Sequence, residues 1–162
     1  VSLAYIALGA NLGDPVATIN AALVSLTKLP GSNLTARSSL YRTAPVGLKN
    51  QPDFINAVAI LETALAADSL LDELFAIEIR FGRRRSIPNA PRTLDLDLLL
   101  HGDTVQDNPR LTLPHPRMHQ RAFVLVPLLE IAPNIVIPGL GHGRDLLGDV
   151  DVEQSIEPIF VT

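Results

Sequence analysis

The chain has 162 residues, enough for one domain that buries roughly 70% of the surface its unfolded form would expose. Apolar residues make up 47% and charged ones 19%, and there is no cysteine, so disulfides and thiolate metal sites are excluded. No apolar run approaches the ~18 residues of a membrane span, and no basic stretch precedes an apolar one at the N-terminus. A cytoplasmic protein is the expectation.

The net charge of −4 is unevenly spread. Between Arg80 and Arg121 stand eight Arg against four Asp, a local excess of +4, so the rest of the chain carries −8. Guanidinium offers a bidentate fork suited to phosphate, although a solvated loop has the same composition.

In chain order, Tyr5 to Leu8 reads as a short strand. It runs into Gly9-Ala10-Asn11-Leu12-Gly13, after which Asp14 (N-cap) and Pro15 (first helical position) open a helix that Pro30-Gly31 stops. Its apolar face is Val16, Ile19, Leu23 and Leu26. A strand is expected over about 33–42 and a longer one from Phe54 to Thr63, joined by a loop through Thr43-Ala44-Pro45-Val46-Gly47. A second helix runs from Ala67 to Gly82, starting near Asp68-Ser69. On it Leu71, Leu74, Phe75 and Glu78 share a face, and Glu78 reads as a core-edge carboxylate with its head in water.

A basic loop from Arg83 to Pro91 leads to a strand from Leu94 to Leu100. Residues 101–121 read as loop, Ala122 to Ile131 as a short buried helix, and the last 30 residues show weak periodicity. The order β-α-β-β-α-β over the first 100 residues is that of an α+β, ferredoxin-like antiparallel sheet. Helices would cover one face and ligand-binding loops the other, in a single domain over 1–162.

The chemistry concentrates in Leu94-Asp95-Leu96-Asp97-Leu98. Strand alternation puts both carboxylates on one face, with Cα atoms ~6.5–7 Å apart. Two such charges repel, and a divalent cation removes that cost; Mg²⁺ typically takes one or two carboxylates and completes its shell with water and substrate phosphates. An acidic solvated face is the bland alternative. Arg92 and Arg83 to Arg85 beside the pair favour phosphoryl transfer, which needs charge neutralisation and positioning. No P-loop sequence occurs, and Gly139-Leu140-Gly141-His142-Gly143 reads as a turn. His115 and His119 have H-x₃-H spacing, but Pro114 and Pro116 argue against a zinc-binding helix. His115 reads as a phosphate contact and His119 as a surface residue, with His101 and His142 unassigned.

Several runs together resemble the 6-hydroxymethyl-7,8-dihydropterin pyrophosphokinase family over nearly the whole chain. They are Ala7 to Asp14, Tyr41-Arg42-Thr43-Ala44-Pro45, Gln51 to Ala57, Gly82-Arg83, Pro91 to Leu98, and Leu113-Pro114-His115 with Arg121 and Phe123. The run Pro91-Arg92-Thr93-Leu94-Asp95-Leu96-Asp97 is the most specific of them.

The resemblance implies transfer of pyrophosphate from ATP to the pterin hydroxymethyl group, releasing AMP, in folate biosynthesis, with two Mg²⁺ ions bound. It implies that Asp95 and Asp97 hold the metal and that Arg83 and Arg92 stabilise phosphate charge. Arg85 would sit on a loop closing over ATP. Glu78, Leu98, Arg110, Thr112, His115 and Arg121 would belong to the nucleotide site. Phe54 and Phe123 would sandwich the pterin, with Asn56, Thr43, Gly9 and the backbone near Ala44 and Val46 reading its polar edge.

Asn89 stands where some relatives carry Trp, and Phe54 where Tyr is found. A monomer follows from the family pattern. The sequence leaves two other readings: a two-metal phosphodiesterase, and an RNA-binding module of the same architecture, which seven aromatics and a pI near 5.5 disfavour.

Overall fold

The computed structural model describes residues 1–45, 50–82, 93–150 and 156–159. The expectations placed on Val46, Gly47, Arg83, Arg84, Arg85, Asn89, Pro91 and Arg92 lie outside them.

Strand β1 (Ser2–Ala10) is longer than its apolar core suggested. Helix α1 (Pro15–Thr27) begins as expected: the Asp14 carboxylate accepts the Ala17 N–H at 3.1 Å, and Pro15 takes a position whose N–H would have no helical partner. The stretch expected as one strand is two, β2 (Ser32–Arg37) and β3 (Leu40–Thr43), separated by a bend at Ser38-Ser39. Strand β4 (Phe54–Thr63) has the predicted bounds and is buried on both faces, which accounts for its nearly unbroken apolar run. Helix α2 (Ala67–Arg80) starts from Ala66 without a side-chain cap, so neither Asp68 nor Ser69 opens it.

Strand β5 (Asp95–His101) follows, then the short strands β6 (Gln106–Asp107) and β7 (Thr112–Leu113), which pair with each other. A 3₁₀ turn (Met118–Gln120) leads into helix α3 (Ala122–Ile131), the predicted buried helix, with Pro127 inside it. The C-terminal segment, weakly periodic in sequence, contains β8 (Val136–Ile137), β9 (Gly141–His142), helix α4 (Gly143–Gly148) and β10 (Ile156–Ile159).

The main sheet runs β10-β3-β4-β1-β5, with β2 also paired to β4, and every pairing is antiparallel. Treating β2 and β3 as one bent strand, this is the ferredoxin-like order extended by β10 at one edge.

Alternation along β1, β4 and β5 sends Ile6, Leu8, Ala57, Leu96 and Leu98 to the face covered by α1 and α2, where the larger core cluster forms. The expectation of helices on that face therefore holds. The opposite face is not left wholly to loops, because α3 packs there in a second cluster with Val58, Leu99 and Leu100, against which Leu146 and Leu147 of α4 also rest. A register shift makes this possible. Tyr5 faces Leu100 while Ile6 faces Leu98, so Leu99 is the extra residue and Leu100 changes face. One strand thereby offers carboxylates at one end and core leucines to α3 at the other.

Candidate active site

Cross-strand register assembles the site. Gly9 on β1 lies between Asp95 on β5 and Asn56 on β4, and Asn56 lies opposite Tyr41 on β3. Directly opposed residues project to the same face, so Asp95, Gly9, Asn56 and Tyr41 form one row across four strands. Asp97 and Phe54 flank that row, each two residues from a member of it. Phe54 pairs with Thr43. This is the face opposite α1 and α2, next to the part that α3 covers.

The polar residues of this floor are fixed by one another. Asn56 is buried and donates from Nδ2 to the Thr43 hydroxyl at 2.6 Å, which leaves Oδ1 over Gly9. A Cβ on Gly9 would stand 3.0 Å from that oxygen, so the glycine is a matter of space there. Asn11 is also buried and donates to Gln51 Oε1 at 2.8 Å and to the Pro52 carbonyl at 3.0 Å, tying the turn after β1 to the segment before β4. Sequence reading left Asn11 without a role, although it lies in one of the family-like runs.

Asp95 and Asp97 are half-buried, while Leu94, Leu96 and Leu98 are in the core, as alternation predicted. Among the described residues no group of three or more His, Asp or Glu side chains is placed to hold a metal ion. A pair of partly solvated carboxylates fits Mg²⁺, which keeps waters and substrate oxygens in its shell.

Glu78 departs from its predicted setting. It is only 4% exposed, and its Oε2 accepts the Leu96 N–H at 2.8 Å, so its head is in the protein and not in water. That N–H lies between the two Asp residues on the outer edge of β5, where no further strand pairs among the described residues. Leu98, two residues on, turns its backbone toward the same open edge, while its side chain is in the core. Any nucleotide contact from Leu98 is therefore a main-chain contact.

His115 approaches from the loop after β7, its N–H donating to the Leu99 carbonyl at 2.9 Å. Its Nδ1 accepts the Arg117 N–H at 3.2 Å, which leaves the proton on Nε2. Burial first, then the positive charges of Arg121 and Arg117, pull its pKa down to about 4 against the opposing effect of Asp95. The imidazole is thus a neutral hydrogen-bond donor at pH 7, close to Asp95 and Arg121. The Arg121 guanidinium lies 5.3 Å from the centre of the Phe123 ring at the start of α3, an arrangement in which each steadies the other.

Among the described residues no contact draws Arg110 or Thr112 into this group. Arg110 forms an ion pair with Asp72 on α2, and the Thr112 hydroxyl donates to Asp107 at 3.2 Å. Exposed ion pairs are worth about 0–1 kcal/mol, so Arg110 can exchange its carboxylate for a phosphate at small cost. Ala44 follows β3 directly and is exposed, and Pro45 after it is buried. His119 is half-buried, not a surface residue, and its Nδ1 is enclosed without a hydrogen-bond partner among the described residues. His101 is buried and bonds to the Leu65 carbonyl at 2.8 Å, a structural position at the far end of β5.

Residues 5–133 match the family model for 7,8-dihydro-6-hydroxymethylpterin-pyrophosphokinase. The chain is 50% identical over 135 residues to 2-amino-4-hydroxy-6-hydroxymethyldihydropteridine pyrophosphokinase of Haemophilus influenzae, covering 83% of this chain and 84% of that protein. It is 49% identical over 143 residues to the Pseudomonas aeruginosa protein of the same name, covering 88% of each. Among solved structures, wild-type HPPK-DHPS of Plasmodium falciparum superposes with a TM-score of 0.69 at 14% identity, over 92% of this chain and 43% of that one. That likeness speaks for the fold, and this chain spans less than half of the Plasmodium protein.

Proposed function

The chain belongs to the 7,8-dihydro-6-hydroxymethylpterin-pyrophosphokinase family, and from that premise we infer that it transfers pyrophosphate to the hydroxymethyl group of 6-hydroxymethyl-7,8-dihydropterin in folate synthesis. ATP is the donor and AMP the leaving product. The observation that carries this reading is the row of Asp95, Gly9, Asn56 and Tyr41 across the sheet. It sets a carboxylate suited to a divalent cation beside a hydrogen-bonding floor bordered by Phe54.

The roles are those that the family resemblance implies, and the geometry supports them. The pterin lies against Phe54 and Phe123, whose faces supply affinity. Asn56 and Thr43, already oriented by their mutual bond, present fixed polar atoms to one edge of the heterocycle. Such pre-orientation rejects fused rings with a different donor pattern, because a mismatched ring leaves buried polar atoms unpaired. Asp95 and Asp97 would hold Mg²⁺, two ions in the full site, which supplies neutralisation of phosphate charge. Glu78 holds the strand segment between them in place through the Leu96 N–H.

His115 donates its Nε2 proton toward a phosphate oxygen without bringing a charge, and Arg121 supplies the charge. Arg110 leaves Asp72 for the nucleotide, while Thr112 and the main chain of Leu98 border the base. Arg83 and Arg92, with Arg85 on the same segment, complete the phosphate-binding set, and the backbone near Val46 and Ala44 meets the pterin. The enzyme works as a monomer in the cytoplasm.

The test is the initial rate of AMP release from Mg-ATP, with and without the pterin, for the wild type and Asp97→Asn. Pterin-dependent AMP that falls at least ~100-fold in the variant is expected, since loss of a metal ligand removes transition-state charge stabilisation. AMP release indifferent to the pterin would point instead to a phosphohydrolase.

A further inference from the structure

Glu130 stands on the solvent side of the last turn of α3, yet its carboxylate is engaged by three donors. It accepts the Ser39 N–H at 2.9 Å, the Ser39 hydroxyl at 3.0 Å and the Tyr41 hydroxyl at 2.5 Å. Ser39 belongs to the bend between β2 and β3 and Tyr41 to β3 itself, 91 and 89 residues away in sequence. The bend is itself anchored to β4: the Ser38 N–H donates to the Val58 carbonyl at 2.8 Å, and the Val58 N–H donates to the Ser38 hydroxyl at 2.9 Å.

The location gives these bonds a consequence for the site. Tyr41 stands opposite Asn56, and Asn56 is bonded to Thr43, so the clamped strand is the one that carries the pterin-reading floor. At the other end of α3, two helical turns away, stands Phe123. Between its ends the helix rests on Val124, Leu125 and Leu128 in an apolar cluster. Apolar contact is non-directional and tolerates sliding and rotation. The Glu130 bonds are directional and charge-assisted, and they fix where the rod lies over the sheet.

We propose that Glu130 is a positioning residue for pterin recognition: by tying the end of α3 to Ser39 and Tyr41, it sets the separation between Phe123 on the helix and Phe54 on the sheet. Neither Glu130 nor Tyr41 touches the pterin in this account. A slot built for a flat ring depends on its width, and a small misplacement of one wall costs affinity for the ring while leaving the nucleotide side of the site intact.

This inference rests on the pterin reading given above, and the experiment separates the two. Steady-state constants for the pterin and for ATP are measured on the wild type, Glu130→Ala, Tyr41→Phe and the double variant, well below their melting temperatures. The KM for the pterin is expected to rise about 10-fold in Glu130→Ala, with the KM for ATP and kcat changed less than about two-fold. The double variant should be no worse than the poorer single one, because both remove the same link.

A pterin KM that stays put, that rises only in step with a rising KM for ATP, or that worsens additively in the double variant overturns the proposal. If the wild type itself shows no pterin-dependent AMP release, the underlying reading fails and this proposal with it. If the wild type is active and the variants show no split, only the positioning role is lost.

Discussion

Removing the carboxylate of Glu78 tests how the metal-binding strand is held. In Glu78→Ala the Leu96 N–H loses its acceptor on the outer edge of β5, where no strand pairs among the described residues. A hydrogen bond to a charged group is worth about 1.5–3 kcal/mol, and an orphaned buried donor costs about 1–3 kcal/mol; these overlap and do not simply add. A loss of about 2–3 kcal/mol is therefore expected, which for a chain of this size lowers Tm by roughly 4–12 °C.

Glu78→Gln keeps one acceptor oxygen and should recover about half of that loss. Because Leu96 separates Asp95 from Asp97, loosening its anchor should also raise the Mg²⁺ concentration needed for half-maximal activity, more in the Ala variant than in the Gln variant. Thermal melts and Mg²⁺ titrations of the rate read both effects. If Tm moves by less than about one degree while only the KM for ATP rises, the strand-holding argument is refuted and Glu78 acts on the nucleotide directly.

Other substitutions and titrations reach other parts of the account. Gly9→Ala places a Cβ 3.0 Å from Asn56 Oδ1, so Asn56 must give by a few tenths of an ångström and its bond to Thr43 is strained; the pterin KM should rise with little change in the KM for ATP, and stability should fall by about 1 kcal/mol.

Burial first, then the bond to Glu130 and its charge, push the Tyr41 hydroxyl up to about 12 from 10.0. The folded state therefore keeps a proton that the unfolded chain gives up. The contribution is fully present below pH 10.0 and is lost as pH rises toward about 12. Melts across that range should show the loss in the wild type and a smaller one in Tyr41→Phe.

For His115 the sign is reversed: its pKa is lowered to about 4 from 6.5, so its neutral form stabilises the fold above pH 6.5 and that share fades as pH falls toward 4. An imidazole NMR titration of the metal-free protein should show no His115 transition between pH 6 and 8.

Much of the fold is readable in the chain because its local signals agree. The Asp14-Pro15 start, the long, largely apolar run of β4 and the alternation of Leu and Asp on β5 each have a local cause and appear where expected. What local pattern cannot carry is contact between distant segments. The break at Ser38-Ser39 depends on Val58 and Glu130, and the face change at Leu100 depends on a bulge opposite Tyr5 and Ile6. The burial of Glu78 depends on an unpaired edge N–H, which an amphipathic-stripe argument does not see; by stripe alone a carboxylate belongs in water.

The candidate site was legible for a different reason. Asp95, Asp97, Asn56, Thr43, Phe54 and Phe123 lie within runs that the family resemblance marks. Sheet register then brings the strand-borne ones to one face. Glu130 lies outside those runs, and only the folded structure connects it to Tyr41.

The central claim is that a pyrophosphoryl group moves intact onto the pterin. The most direct measurement is ³¹P NMR of the products formed from Mg-ATP and 6-hydroxymethyl-7,8-dihydropterin, with AMP quantified in the same sample. Two coupled phosphorus signals on the pterin product, in one-to-one amount with AMP, are predicted. A pterin monophosphate accompanied by ADP, or AMP with free pyrophosphate and unchanged pterin, would contradict the account.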